Sequence, residues 1–134
     1  MKYFLILFTV VACLNCSPKL SPDSSWGRNR WVLIEMRKVP VQLSGGRRDA
    51  FLNFDPDQKR YSGNGGCNQI SGSYTITKKN IHFGDVMSTK MSCDDIAFEN
   101  SFLSTLNNVD RYEIKGNDLL LKRRGEVLLV LSAR

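Results

Sequence analysis

Apolar and polar residues alternate along much of the chain, which is the two-residue period of β-strands with one buried face. The alternation is clearest over residues 72–77 and 81–83, which a Lys-Lys-Asn turn separates. β-branched and aromatic residues, which favour strands, fill the other runs, and Gly, Pro, Asn and Asp separate them. The pattern predicts short strands over residues 30–36, 39–41, 50–54, 58–62, 72–77, 81–83, 111–114, 119–122 and 127–131.

One stretch has the period of an α-helix instead. Between Ile96 and Val109, apolar residues recur at spacings of three and four, which places them on one helical face. Asp94 or Asp95 can cap the start of this helix, and residues 107–108, two asparagines, can end it. The short connections between the strands favour antiparallel pairing. The sequence therefore predicts a single α+β domain.

A glycine-rich stretch interrupts the strands between residues 63 and 74. It contains four glycines, two asparagines and one cysteine, and glycine reaches backbone angles that strain other residues. We therefore expect a tightly shaped loop between two strands. The residues of this motif that we single out, with the later Thr-x-Met-x-Cys motif, are Gly63, Gly66, Asn68, Gly72, Thr89 and Met91. Asn68 and Thr89 are expected to bond backbone groups, with a ligand role as the alternative.

The N-terminus differs from the rest of the chain. Lys2 precedes an apolar run over residues 3–12. A run of about ten residues fits the apolar region of a secretory signal and is too short to span a bilayer as a helix. A buried N-terminal strand is the alternative interpretation.

Two cysteines after this run resemble the lipid-attachment site of a bacterial lipoprotein signal. Cys13 has the more usual preceding residues, whereas Cys16 gives a signal of more normal length. Lipidation of Cys16 leaves two cysteines without lipid, Cys67 and Cys93, which can pair, whereas lipidation of Cys13 leaves three; this favours Cys16 in an oxidising compartment. We expect a signal over residues 1–16, with cleavage before Cys16 or alternatively before Cys13. A Ser/Pro tether over 17–25 and a domain over 26–134 follow.

No acidic run resembling the export signal of some surface lipoproteins follows either cysteine. By that resemblance we expect a periplasm-facing protein in the cell envelope, with the outer membrane favoured. The chain carries 19 Lys and Arg against 13 Asp and Glu, a net charge of +6. In an exported protein this charge does not indicate nucleic acid as a partner. The basic residues fall mostly at turns, where solvated side chains are the expected interpretation. A patch that contacts anionic lipid headgroups or acidic glycans is the alternative.

The sequence contains little that indicates catalysis. His82 is the only histidine, and its place between Ile81 and Phe83 predicts a solvent-facing side chain. It lacks neighbours at the spacing of a zinc site, and no nucleophile elbow, phosphate loop or calcium loop is present. Asp94 and Asp95 are better explained as helix caps. We expect no catalytic residue, no metal and no cofactor.

Several motifs together resemble the META domain family, which includes the HslJ-like heat-inducible lipoproteins. They are Trp31-Val32-Leu33, Phe54, Gly63 to Tyr74 with its Gly-Cys-Asn, Thr89-x-Met91-x-Cys93, the helix over 98–106 and the terminal strands. The resemblance covers residues 26–132. It implies an antiparallel, partly barrel-like sheet with one helix packed on it, and an envelope lipoprotein. It implies no established catalytic activity, and some members are linked to heat shock or antibiotic tolerance.

Cys67 and Cys93 are the two cysteines of the predicted domain. A disulfide between them would close a loop of about 26 residues and add roughly 3 kcal/mol to stability. Two buried free thiols and a working redox pair are the alternatives. The domain has no Cys-x-x-Cys at a helix start to lower a thiol pKa.

Two functions follow as hypotheses. The first is a non-enzymatic, lipid-anchored periplasmic scaffold, monomeric and stress-related, that binds an envelope protein. The second is a carrier or sensor of a small apolar ligand held between the sheet and the helix. An enzyme would require a polar cleft that combines His82 with Asp94 or Asp95. Four aromatic residues, Trp31, Tyr61, Tyr74 and Phe83, either line a groove over the sheet or pack in the core.

Overall fold

The structure is a computed structural model, and it describes residues 27–45 and 48–134. The predicted signal over 1–16, both candidate lipid-attachment cysteines (Cys13 and Cys16) and the tether over 17–25 lie outside the described residues. All secondary structure and packing below concern the described part of the chain.

Short strands dominate the fold, as the alternating pattern predicts. The elements are β1 (Arg30–Met36), β2 (Val39–Pro40), β3 (Phe51–Asp55), β4 (Arg60–Asn64), β5 (Gln69–Thr77), β6 (Asn80–Phe83), β7 (Met87–Ser88), α1 (Ile96–Asn107), β8 (Arg111–Lys115), β9 (Asp118–Arg123) and β10 (Glu126–Ala133). Every strand pairing is antiparallel, as the short connections predict. The fold is therefore α+β, an antiparallel sheet with one helix, in agreement with the prediction.

The sheet curves into a ring. Its strands follow the order β10-β9-β8-β6-β5-β4-β3-β1, and β10 returns to pair with β1 over six residues, from Trp31 to Met36. Between β6 and β8 the register contains only the pair Asn80 and Arg111. The ring is thus nearly open at this seam, so the sheet is ring-like without being a complete barrel.

The helix lies at one end of the ring, which we call the helix end. Antiparallel order brings the ends of β1, β4 and β9 and the starts of β3, β5 and β10 to this end. Arg37, which follows β1, donates from Nε to Thr105 Oγ1 of the helix at 3.1 Å. Phe102 and Leu106 project into the core and have no exposed surface. The apolar face predicted for this helix therefore packs against the inside of the ring.

Four aromatic residues were expected either to line a groove over the sheet or to pack in the core, and the structure places them in the core. Trp31, Tyr61, Tyr74 and Phe83 are each at most 3% exposed. Tyr61 and Phe83 pack edge to face, with ring centroids 5.4 Å apart. The ring of Tyr61 also covers Gly72, because a Cβ at Gly72 would lie 2.6 Å from the Tyr61 hydroxyl. Gly72 is thus required by close packing inside a strand.

Some boundaries differ from the prediction. β5 begins at Gln69, inside the stretch expected to be loop, and β7 was not predicted. β4 begins at Arg60 rather than at residue 58, because Asp55 Oδ1 accepts bonds from Asp57 N and Gln58 N and extends the turn. Asp95 is the N-cap residue of α1, but its side chain makes no capping hydrogen bond, so the predicted cap is positional only. The helix ends at Asn107, as expected.

The hydroxyl of Tyr61 generates the first testable prediction. It is buried without a hydrogen-bond partner among the described residues, and burial raises the pKa of Tyr61 to about 12. Tyr61→Phe removes this unpaired polar group, so we expect the free energy of unfolding at neutral pH to rise by about 1 kcal/mol. Urea denaturation measures the change.

The same prediction has a pH dependence and a control. The pKa of Tyr61 in the folded chain lies above the unfolded value of about 10, so ionisation of Tyr61 favours the unfolded chain at high pH. The protein keeps its full stability with respect to this group below about pH 10 and loses stability as pH rises through about 12. Tyr61→Phe should remove that part of the alkaline destabilisation. Tyr112→Phe is the control, since the Tyr112 hydroxyl donates to Lys78 O at 2.9 Å. It should lower stability by about 1 kcal/mol. A loss of the same size from Tyr61→Phe would contradict the prediction.

Candidate functional site

The glycine loop, residues 65–68, joins β4 to β5 at the helix end. Gly65 N donates to Asn68 O at 2.9 Å, and Gly66 N donates to Asn64 Oδ1 at 2.7 Å. Gly66 has a φ of 114°, a conformation that strains residues with a side chain. These bonds turn the backbone N–H groups of the next two residues, Cys67 and Asn68, toward the helix.

A carboxylate from the helix receives those N–H groups. Glu99 lies in the first turn of α1 and is 2% exposed. Its Oε2 accepts bonds from Cys67 N at 3.1 Å and from Asn68 N at 2.6 Å, and its Oε1 accepts from Asn68 Nδ2 at 2.8 Å. A carboxylate is an acceptor only, and three donors at these distances form strong bonds. Glu99 therefore fixes the glycine loop to the helix.

Asn68 extends the network to a third segment. Its side chain is 2% exposed, and its Oδ1 accepts bonds from Met91 N at 2.6 Å and from Thr89 Oγ1 at 3.0 Å. Thr89 N in turn donates to Gln69 O at 3.0 Å, and Thr89 Oγ1 accepts from Gln69 N at 3.1 Å. Asn68 and Thr89 thus bond backbone groups, the first of the two roles that the sequence offered.

A disulfide joins the same two segments. Cys67 of the glycine loop is bonded to Cys93, which lies 26 residues later, with 6.1 Å between the Cα atoms. Of the alternatives left open by the sequence, the structure contains the cross-linked form. The disulfide and the Asn68 bonds hold the segment 87–95 against the glycine loop, and this segment leads directly into the helix.

Close contacts explain two of the glycines. A Cβ at Gly65 would lie 2.7 Å from Glu99 Oε2, and a Cβ at Gly66 would lie 2.9 Å from Cδ1 of Phe98. Both distances are shorter than real Cβ contacts, so a side chain at either position would push the helix away from the loop. Gly63 lies in β4, and its Cβ would lie 1.9 Å from Phe51 O of the neighbouring strand. Helix and sheet packing therefore require glycine at these three positions.

The sequence indicated the glycine loop but not Glu99, the helix residue that accepts the hydrogen bonds of the loop. Asn68 bonds Glu99 directly and Thr89 bonds Asn68, whereas Met91 contributes only its backbone N–H and is 63% exposed. Gly66 lies against Phe98, the residue before Glu99. A signal for Glu99 was present, since it lies three and seven positions before Phe102 and Leu106, on the apolar face of the helix. An acidic residue on that face has to find donors when the face is buried.

The residues considered for catalysis do not come together. His82 is exposed and lines a shallow hollow beside Asp110 and Thr75. Asp94 and Asp95 line a different surface at the start of the helix. No group of three His, Cys, Asp or Glu residues within 27–45 and 48–134 is arranged to hold a metal ion. None of the helices in these ranges is long and apolar enough to cross a membrane.

An open groove runs beside the disulfide. Its floor is the outer face of β3, β4 and β5, with polar side chains such as Asn53, Ser62 and Gln69. Residues 41–45 and 48–50 form one wall and the segment 87–95 forms the other. Val39, Met87 and Met91 stand on its rim and are 58–64% exposed. The rigid network of Glu99 and Asn68 thus supports one wall of an accessible groove with apolar side chains on its rim.

Comparison with known proteins identifies related folds. The sequence model of the META domain family matches residues 24–134 of this chain. An NMR structure of a protein from Burkholderia xenovorans is 20% identical, with a TM-score of 0.65, and the match covers 84% of this chain and 86% of that one. A crystal structure of a duf4847 family protein from Bacteroides vulgatus is 16% identical, with a TM-score of 0.60, covering 83% and 95%. At these identities the structures show a shared fold. No curated protein matches the sequence.

The order of donors and acceptors around Glu99 generates the second prediction. Glu99→Gln places an amide donor against Asn68 Nδ2 or against the loop N–H groups. We expect it to lower the free energy of unfolding by about 1–3 kcal/mol, because one buried donor is left unpaired. Asn68→Asp places a second carboxylate against Glu99, and like charges in the interior should cause at least as large a loss.

The double variant E99Q/N68D tests the direction of the network. It exchanges the amide and the carboxylate, so the new amide can donate to the new carboxylate while the bonds from Cys67 N, Asn68 N, Met91 N and Thr89 Oγ1 keep their direction. Only the 3.5 Å bond from Ser88 Oγ to Glu99 Oε1 is lost. We expect the double variant to be more stable than either single one, with a favourable coupling energy in a double-mutant cycle measured by urea denaturation. Additive losses would mean that the order of donors and acceptors does not determine stability here.

Proposed function

Since the chain belongs to the META domain family, we propose that it is a lipid-anchored, periplasm-facing envelope lipoprotein. In this proposal the domain is a non-enzymatic binding or accessory scaffold with a stress-related role. The lipid is attached to Cys16, or alternatively to Cys13, and residues 17–25 form the tether. The partner is an envelope protein, and neither a cofactor nor nucleic acid takes part.

The disulfide between Cys67 and Cys93 is the observation that carries this proposal. Structural disulfides persist in oxidising compartments such as the periplasm and are rare in the cytosol. An exported chain needs a signal, and the apolar run over residues 3–12 together with the following cysteines supplies the residues for one. Disulfide and signal motif support the same compartment independently.

The groove supports a role in binding. Exposed methionine side chains are flexible and polarizable, and they are frequent on surfaces that bind other proteins. Met87 and Met91 lie on one wall, and that wall is held by the disulfide and by the bonds of Asn68. A preformed surface loses little entropy when it binds. We therefore assign partner binding to the groove.

The second hypothesis, a small apolar ligand between sheet and helix, has less support. The space between these elements is filled by side chains such as Phe102, Leu106 and Leu131, which have no exposed surface. A ligand there would have to displace packed core residues. The scaffold proposal requires no such rearrangement.

Intact mass of the chain purified from membranes tests the anchor and the disulfide together. We expect one lipidated cysteine, at Cys16 or Cys13, and a gain of about 2 Da on reduction, because breaking one disulfide adds two hydrogens. Alkylation before reduction should leave Cys67 and Cys93 unmodified. An unlipidated chain would contradict the anchor, and alkylated Cys67 and Cys93 would contradict the cross-linked scaffold.

Site-specific photo-crosslinking tests the groove. A photoreactive residue at Met87 or at Met91 should capture the same envelope protein in intact cells, because both side chains lie on one wall. The control position is Arg124, which is exposed in the turn before β10. Equal capture from all three positions, or none from the groove, would contradict a role of the groove in binding.

A further inference from the structure

The ring brings distant parts of the sequence together at the end opposite the helix. Adjacent strands of the ring are antiparallel, so every second strand begins at this end and its neighbours finish there. Five segments meet at it, and we call the surface they form the tether end. They are residues 27–30, 55–60, 78–80, 115–118 and 133–134.

Contacts between these segments confirm the arrangement. Arg134 N donates to Arg30 O at 2.9 Å, and Ala133 N donates to Asn117 O at 2.8 Å. Tyr74 OH donates to Asp55 O at 3.2 Å, which joins β5 to the turn between β3 and β4. The start of the chain, the end of the chain and the turn over 115–118 are therefore joined directly, and the strand order places the turns over 55–60 and 78–80 at the same end.

The positive charge of the domain is concentrated on this surface. Its five segments contain eight basic and three acidic residues, a net charge of +5, whereas the rest of the described chain contains eight basic and nine acidic residues, a net charge of −1. The basic residues are Arg28, Arg30, Lys59, Arg60, Lys78, Lys79, Lys115 and Arg134, and all of them are exposed. The guanidinium of Arg30 lies over the ring of Phe51, 3.6 Å from its centroid, and Arg30 and Arg134 also line the groove. Glu113, two residues inside β8, already bonds Lys122. The tether end is thus a basic surface on a domain that is otherwise nearly neutral.

The N-terminal segment enters the domain at the same surface. Gly27 lies against the turn between β3 and β4, where its Cβ would be 2.8 Å from Cδ of Pro56. Residues 1–26, with Cys13 and Cys16, precede this point. An anchor at either cysteine would join the domain at the tether end, which brings the basic surface within reach of the bilayer.

Two of these lysines occupy positions where glycine would be easier. Lys59 has a φ of 53° and Lys78 has a φ of 59°, both in the left-handed region that costs energy for residues with a side chain. Neither position needs a lysine to form the turn, since glycine reaches these angles without strain. Arg37, Lys38 and Arg124 at the helix end have the same conformation, so left-handed basic residues occur at both ends and the charge count, not the strain, distinguishes the tether end.

We propose that the tether end binds the anionic phospholipid headgroups of the membrane that carries the anchor. This inference rests on the proposed lipid anchor. Basic residues near an anionic leaflet are attracted within about one Debye length, roughly 8 Å at physiological salt. The anchor supplies the proximity, and the basic side chains of the tether end orient the domain with its helix end and glycine loop away from the bilayer.

Hydrogen exchange of the full chain, purified with its lipid, tests the orientation. The chain is bound to phosphatidylcholine vesicles and to vesicles that also contain phosphatidylglycerol. On the anionic vesicles we expect slower exchange at residues 55–60, 78–80 and 115–118, and unchanged exchange at 123–126 of the helix end. The protection should disappear in about 1 M NaCl, where the Debye length falls to about 3 Å.

Matched variants separate the position of charge from its amount. K59G/K78G removes two charges from the tether end and relieves two left-handed residues, so the fold should persist. K38G/R124G makes the same change at the helix end, where Lys38 and Arg124 have φ of 67° and 50°. Each basic residue strengthens partitioning about fivefold, so the preference for anionic over neutral vesicles should fall about 25-fold in K59G/K78G. It should change little in K38G/R124G.

The outcomes distinguish this inference from the anchor on which it rests. Retention on neutral vesicles after a high-salt wash reports the anchor alone. A chain that is retained but shows no protection at the tether end, or equal protection at both ends, would overturn the inference and leave the anchor standing. A chain that washes off neutral vesicles yet is protected at the tether end on anionic ones would overturn the anchor and support the basic surface.

Discussion

The carboxylate of Glu99 is buried at the point where three parts of the chain meet, and each part depends on it. Its oxygens accept bonds from two backbone N–H groups of the glycine loop and from the side chain of Asn68. Removing a carboxylate from water is costly, and several well-aligned donors are needed to offset that cost. Here the loop supplies the donors, so loop and helix are stable only when they are together.

This constraint explains features that look unrelated along the sequence. Gly65 leaves room for the carboxylate, and Gly66 takes the backbone angle that aims the donors while leaving room for Phe98. Asn68 Oδ1 accepts a bond from Met91 N and so extends the network to a third segment, and the disulfide at Cys67 joins the same segments covalently. The loop and the Thr-x-Met-x-Cys motif are therefore two sides of one connection. The disulfide lowers the conformational entropy of the unfolded chain, whereas the hydrogen bonds fix the orientation of the two segments in the folded chain.

Much of the fold was predictable because buried apolar residues recur at regular spacings along strands and helices. The strands from β5 to β6 and from β8 to β10 alternate or consist of β-branched and aliphatic residues, and α1 repeats every three to four positions. The early start of β5 was not predictable, since Gln69 and Ser71 are polar and lie beside glycines. β7 has only two residues and shows no period. Glu99 was missed because acidic side chains are usually exposed, and sequence alone does not reveal donors that lie more than thirty positions away.

The basic surface could not be predicted from the sequence alone, for a different reason. Along the sequence the basic residues are scattered over turns, which favours the interpretation that each is merely solvated. In a ring of antiparallel strands, alternate turns fall on opposite ends, so residues near 30, 59, 78, 115 and 134 become neighbours although they are 19 to 37 positions apart. Three acidic residues, Asp94, Asp95 and Glu99, lie at the start of the helix. An acidic residue in the first helical turn is favoured by the helix dipole. The element that closes one end of the ring thus also offsets the charge there and leaves the opposite end basic.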